Sequence, residues 1–156
     1  MLLLEHDGKE LLAAHGLPVA PGLLVSAGET LEEGRLPPSP WVVKAQVPTG
    51  GRGKAGGIRM ADTPAEAARE LDALLGGTLK GHDIRGCRIE TRIAGGREVY
   101  LSLSIDAGSG SVRVLVSAEG GVDIEAVAPE AIHQGLAAPD ETSVQALAAD
   151  LAGQLT

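Results

Sequence analysis

Between Trp41 and Val47 the apolar side chains fall on every second position, and after Pro48 and Thr49 the chain enters Gly50-Gly-Arg-Gly-Lys-Ala-Gly-Gly57. Trp41, Val43, Ala45 and Val47 share one face and Val42, Lys44 and Gln46 the other, the period of a β-strand. A run holding five glycines cannot extend that strand or start a stable helix, so it predicts a loop, with Ile58 to Met60 returning as the second strand of a hairpin. From Trp41 to Ala61 there are four basic residues, Lys44, Arg52, Lys54 and Arg59, and no acid, in a chain whose net charge is −8. This local inversion points to an anion site. Glycines let backbone N–H groups approach a polyphosphate, and Lys44 can add a point charge from the strand. The competing reading is a solvated hairpin tip.

The elements around the hairpin predict an α+β (mixed α/β) chain. Asp7 and Glu10 make a capping box for a short helix through Leu11 and Leu12 that Gly16 and Pro18 end. Leu23 to Val25 can form a strand. Thr63, Pro64 and Glu66 supply the cap, first-turn proline and capping acid of a helix striped by Ala68, Leu71, Leu74 and Leu75 and ended by Gly76. Cys87 to Ile93 alternates as a strand with Arg88, Glu90 and Arg92 on one face. Glu98 to Asp106 and Ser111 to Ser117 form a hairpin, and from Asp140 onward Val144, Leu147, Ala148, Leu151 and Leu155 fall at helical spacing.

Several functions are disfavoured. The negative charge and the scarcity of aromatics, Trp41 and Tyr100 alone, argue against nucleic acid as a partner. The apolar start Met1 to Leu4 is cut off by Glu5, His6 and Asp7, too short for a signal peptide or a membrane span, so a soluble chain with no membrane partner is expected. Cys87, the only cysteine, reads as a buried thiol and fits a reducing cytoplasm. His6, His15, His82 and His133 lack the spacing of a zinc site, and no metal ligand is nominated. Ser102, Ser104 and Ser117 lack a nucleophile elbow and read as solvent-facing strand residues; no catalytic residue is nominated. Arg88 and Arg92 read equally as a charged strand edge or a nucleotide contact. The Walker pattern fails at Pro48 and Ala55, and Gly51-x-Gly53-x-x-Gly56 leads into a strand where a dinucleotide fingerprint needs a helix. A glycine loop between two strands, with a lysine on the first, is how some kinases cover nucleotide phosphates.

Taken together, Lys9-Glu-Leu-Leu with Gly16-Leu-Pro18, Trp41 to Lys44 followed by Gly50 to Gly57, Glu90, Glu98-Val-Tyr100-Leu-Ser and Ser117-Ala-Glu-Gly-Gly-Val-Asp-Ile-Glu125 resemble the succinyl-CoA synthetase β-subunit pattern in order and spacing. The resemblance covers about Leu4 to His133 and extends to malate-CoA ligases and ADP-forming acetyl-CoA synthetases. It implies an ATP-grasp fold, with 1–18 and 104–156 in the larger lobe and 19–103, carrying loop 50–57, in the smaller. It implies ATP as the cofactor, with Lys44, Gly51, Arg52 and Gly53 on the phosphates, Glu90 and the Ile93 backbone along the base, and Glu98 on the ribose hydroxyls.

It further implies a ligase that joins a small-molecule carboxylic acid to CoA with cleavage of ATP to ADP and phosphate. The phosphoryl group passes through a histidine on a partner α subunit, which also carries the CoA site. Ala20, where the family guards base choice, points to ATP over GTP. Pro48-Thr49 departs from the His-Ala usual in the family. The family's Mg²⁺ ligands and CoA-ligase-like domain would lie beyond Thr156, so the chain is expected to be a piece of a longer subunit, inactive alone, with a natural fragment as the alternative. A non-catalytic ATP-binding module or an assembly module with a vestigial loop are the readings from other classes.

Overall fold

The computed structural model describes residues 3–120 and 127–155. Its contacts divide the chain into two compact units, Met1–Ala94 and Gly95–Thr156.

The first unit is built on a four-stranded antiparallel sheet in the order β1-β6-β2-β3, with β1 at Gly22–Ser26, β2 at Trp41–Ala45, β3 at Ile58–Ala61 and β6 at Gly86–Thr91. The expected hairpin is β2 with β3, registered Trp41 to Ala61 and Lys44 to Ile58. Helix α2, Pro64–Leu74, starts as its cap residues predict: Thr63 Oγ accepts from the Glu66 N–H at 3.2 Å, and the Glu66 carboxylate accepts from Thr63 N–H at 3.3 Å. It buries Ala67, Leu71 and Leu74 rather than the expected Ala68 against Trp41, Val43, Ala45, Cys87 and Ile89. Burial in this apolar layer pushes the Cys87 thiol up to about 12, as an inert core thiol requires.

Helix α1, Glu5–Ala14, lies on the polar side of the sheet and begins earlier than Asp7. Glu5 and Asp7 are the acids of its first turn, and Asp7 accepts from Leu4 N–H at 2.9 Å. Gly16, at φ +79°, ends it as expected. No side chain of α1 is buried, and Leu11 and Leu12 are exposed. A two-strand ribbon, β4 Thr78–Leu79 with β5 His82–Asp83, completes the unit and carries no periodic signal in the sequence.

In the second unit β7, Tyr100–Asp106, and β8, Ser111–Ser117, form the expected antiparallel hairpin, joined by β9, Ile132–Ala137, on the far side of β8. Strand β9 was hidden because Gly135 interrupts its pattern. A Cβ there would sit 2.5 Å from Leu147 Cδ1, so the glycine is what lets helix α3, Glu141–Ala152, pack closely. Asp140 caps α3 by accepting from Ser143 N–H at 2.9 Å. Leu151 of α3 packs on Val114 and Val116. Ser117, expected at the solvent, is fully buried, its Oγ accepting from Glu119 N–H at 3.1 Å. The Ser117 to Glu125 match runs into 121–126, outside the described residues.

Candidate anion site

Lys44 stands in the centre of the sheet on the face turned toward α1, because the alternation that buries Val43 and Ala45 sends its side chain the other way. Glu90 stands on the same face of β6. Lys44 Nζ lies 2.6 Å from Glu90 Oε1 and 2.9 Å from Glu5 Oε1. From α1, Lys9 Nζ bridges the same two acids, 2.6 Å from Glu90 Oε2 and 2.9 Å from Glu5 Oε1. Arg52 folds back out of the glycine loop, donating to Ala45 O at 2.8 Å and pairing through Nη2 with Glu5 Oε2.

Arg88 closes the cluster. It is 1% exposed, donates through Nε to Glu90 Oε2 at 2.8 Å and through Nη2 to Ala20 O at 3.1 Å, and meets His6 Nδ1 at 2.7 Å. The charged-edge reading of Arg88 is corrected here. Strand β6 is paired on both sides, so its face is interior and Arg88 is a buried ion. Gly22, opposite Glu90 on β1, makes the space: a Cβ would come 2.7 Å from Glu90 Cβ and 2.9 Å from Arg88 Nη2.

The electrostatics follow from this crowding. Burial opposes the charge on Glu5, but hydrogen bonds from Lys9, Lys44 and Arg52 pull its pKa down to about 2. Burial likewise opposes the charge on Glu90, and Lys44, Lys9 and Arg88 lower its pKa below the ordinary carboxylate value. Desolvation works against the Lys44 ammonium, yet Glu90 and Glu5 raise its pKa above that of a free lysine. Among the described residues four cations, Lys9, Lys44, Arg52 and Arg88, thus meet Glu5, Glu90 and the largely exposed Glu10, leaving a positive excess. Lys44 and Arg52 keep 19% and 17% of their side-chain surface open to solvent.

Of the residues nominated from the sequence, Lys44, Arg52 and Glu90 converge. Gly51, at φ +64°, and Gly53 shape the turn that carries Arg52, which Gly57 N–H closes by donating to Arg52 O at 2.8 Å. Ile93 lies beyond the end of β6 with 75% of its surface exposed. Glu98 belongs to the second unit, exposed just ahead of β7 and against Gly120. Glu5, Lys9 and Lys80 were not nominated. Lys80, at the β4–β5 tip with φ +50°, donates to Gly50 O at 2.9 Å and braces the glycine loop. A lone lysine in a turn carries no sequence signal for that.

A family description, the ATP-grasp domain, matches residues 2–156. The chain belongs to the ATP-grasp family. Among its curated relatives, the β subunit of a GDP-forming succinate–CoA ligase from Thermus thermophilus is 42% identical over 141 residues, 86% of this chain and 36% of the relative. Those of ADP-forming ligases from Chloroflexus aggregans and Rubrobacter xylanophilus are 43% and 46% identical over 89% and 82% of this chain, and 37% and 34% of their own. The chain therefore spans little more than a third of these relatives. In fold it is similar to ATP citrate lyase from Methanothrix soehngenii, with TM-score 0.72 and 23% identity over 93% of this ATP-grasp chain and 36% of that one. It is also similar to the Ca. Korarchaeum cryptofilum protein ACD1, with TM-score 0.63 and 20% identity over 93% of this chain and 64% of the other.

Proposed function

We propose that the chain is the phosphate-holding part of an ATP-dependent acid–CoA ligase, similar to succinate–CoA ligase β subunits, acting with a partner α subunit that carries the phosphorylated histidine and the CoA site. The observation that carries this reading is the convergence of Lys44 and Arg52, from a strand and from the glycine loop, in a cluster with more cations than acids. Such an arrangement spreads the charge of a polyphosphate and holds it in place for transfer, which is most of what a protein contributes to phosphoryl transfer. Glu90 orients Lys44 from beneath. Glu98 and the Ile93 backbone are assigned to the ribose and the base by the family resemblance alone.

Mg²⁺ would accompany the nucleotide. Among the described residues no group of three His, Cys, Asp or Glu side chains converges as a metal site, and Glu5 and Glu90 are already engaged by cations, so no step is routed through the ion. The relatives' names include both ADP- and GDP-forming ligases; the small Ala20 favours ATP here.

Trp41 would be a poor reporter of binding. It is buried in the α2 layer, on the opposite face of β2 from Lys44, with Nε1 donating to Pro37 O at 2.6 Å. Calorimetry of the chain with ATP and GTP is the direct test. ATP is expected to bind more tightly than GTP, and Lys44→Ala to weaken ATP about tenfold or more, the scale of one charged hydrogen bond. Binding unaffected by Lys44→Ala, or no heat up to millimolar nucleotide, overturns the reading for this chain.

A further inference from the structure

The anion that Lys44 and Arg52 hold in this structure is the chain's own. Glu5 places one carboxylate oxygen 2.9 Å from Lys44 Nζ and turns the other to Arg52 Nη2, the two cations assigned above to phosphate. We propose that Glu5 is an internal stand-in for a phosphate oxyanion, which an incoming nucleotide polyphosphate must displace, so that Glu5 sets the affinity of the site and α1 shifts as the site fills. The proposal rests on the assignment of Lys44 and Arg52 to the phosphates.

Three features make Glu5, and not Glu90, the exchangeable acid. The first is anchorage. Glu90 is 4% exposed in its side chain, on a strand paired on both sides, and is held by Arg88 from within the sheet. Glu5 is the first residue of a helix none of whose own side chains is buried, so its withdrawal costs α1 little apolar packing. Polar ties hold α1 to the sheet: Glu5 to Lys44 and Arg52, Lys9 to Glu90, His6 N–H to Gln46 Oε1 at 2.8 Å, and His6 and Glu10 to Arg88. Polar ties can be exchanged for water at small net cost.

The second feature is that the cations are not stranded when Glu5 leaves. Lys44 and Lys9 both retain Glu90, and Arg52 retains Ala45 O. The third is charge. A carboxylate offers a single negative charge across two oxygens, whereas a polyphosphate offers the same forked acceptor geometry with more charge, which suits a cluster with a positive excess. Because its pKa lies at about 2, Glu5 competes at every physiological pH.

The test titrates the chain with inorganic tripolyphosphate and with ATP, using wild type, Glu5→Gln, Glu5→Asp and Lys44→Ala. Glu5→Gln is expected to tighten both ligands about fivefold to tenfold, the scale of one charged contact freed from a competitor. Glu5→Asp, shorter by one methylene but still charged, is expected to tighten them less, and serves in place of Glu5→Gln should that variant not fold. In wild type, amide exchange across 5–14 is expected to quicken on saturation with tripolyphosphate while β2 stays protected. Equal or weaker binding by both Glu5 variants, with Lys44→Ala still losing affinity, overturns the stand-in role and leaves the phosphate site standing. Absence of binding by wild type and every variant overturns both.

Discussion

The two faces of the first unit's sheet are held by opposite chemistry. On one, α2 seats Ala67, Leu71 and Leu74 on Val43, Ala45 and Ile89 with no ion among them; on the other, α1 has no buried side chain of its own and is tied down by Glu5, His6 and Lys9 to Lys44, Arg52, Glu90 and Arg88. Apolar layers lower the free energy without regard to partner. A layer of ions is stable only while each charge keeps a counter-charge, and it can trade one counter-charge for another. The α2 face is therefore the scaffold and the α1 face the part able to respond to a ligand.

The largest effects should come from breaking each face at its centre. Glu90→Ala removes the acid shared by Lys9, Lys44 and Arg88, and Arg88 at 1% exposure has no route to water, so a loss of about 3–5 kcal/mol is expected. Leu71→Ala on the other face opens a cavity and should cost about 3 kcal/mol. Urea unfolding of both variants measures the difference. A Glu90→Ala loss well below that of Leu71→Ala would mean that the ionic face relaxes around its missing charge, and the contrast between the faces would fail.

Acid should dissect the faces more gently. Glu5 ionises at about 2 when folded against 4.5 when free, so its stabilising contribution is complete above about pH 4.5 and is lost as pH falls toward 2. Partial exposure of the group reduces the expected contribution to about 1–2 kcal/mol. Asp106 and Asp140 of the second unit are also depressed, by Arg113 with Ser109 and by the Ser143 N–H respectively, so a whole-chain signal would mix them in. Amide exchange in 5–14 isolates α1: its protection should fall below pH 4.5 before that of α2, and in Glu5→Gln it should be lower at neutral pH and less dependent on acid.

The same division explains what could be read in the sequence. The β2–β3 hairpin and α2 were legible because their signals are local: alternation over Trp41 to Val47, and a cap, proline and acid within Thr63 to Glu66. Lys44 and Arg52 stood out as cations in a segment without acids. The acid they share, Glu5, did not, because it is 39 residues from Lys44 and 47 from Arg52 in sequence, and the His6 contact to Arg88 spans 82. Arg88 read equally as a charged edge or a nucleotide contact, and not as a buried ion, because its strand's second neighbour, β1, lies far back in the chain and period alone does not say which strands are central. Strand β9 escaped for the opposite reason: the residue that makes its packing possible, Gly135, is the one that breaks its pattern.

The smallest predicted effect tests whether the helices on the two faces differ in how they couple to the rest. Each has a side chain accepting a backbone N–H at its start: Thr63, just ahead of α2, from Glu66, and Asp7, in the first turn of α1, from Leu4. Removing such a contact costs about 1 kcal/mol of helix stability in either place. In α2, three buried side chains make fraying of the helix and loss of the core the same event, so Thr63→Ala should lower the global unfolding free energy by about 1 kcal/mol. In α1, with nothing buried, Asp7→Ala should be felt as faster exchange of 5–14 while global stability moves by less than about 0.5 kcal/mol. Equal global losses from the two substitutions would show that α1 opens only when the whole unit does, and a helix that cannot open by itself could not give way to a phosphate.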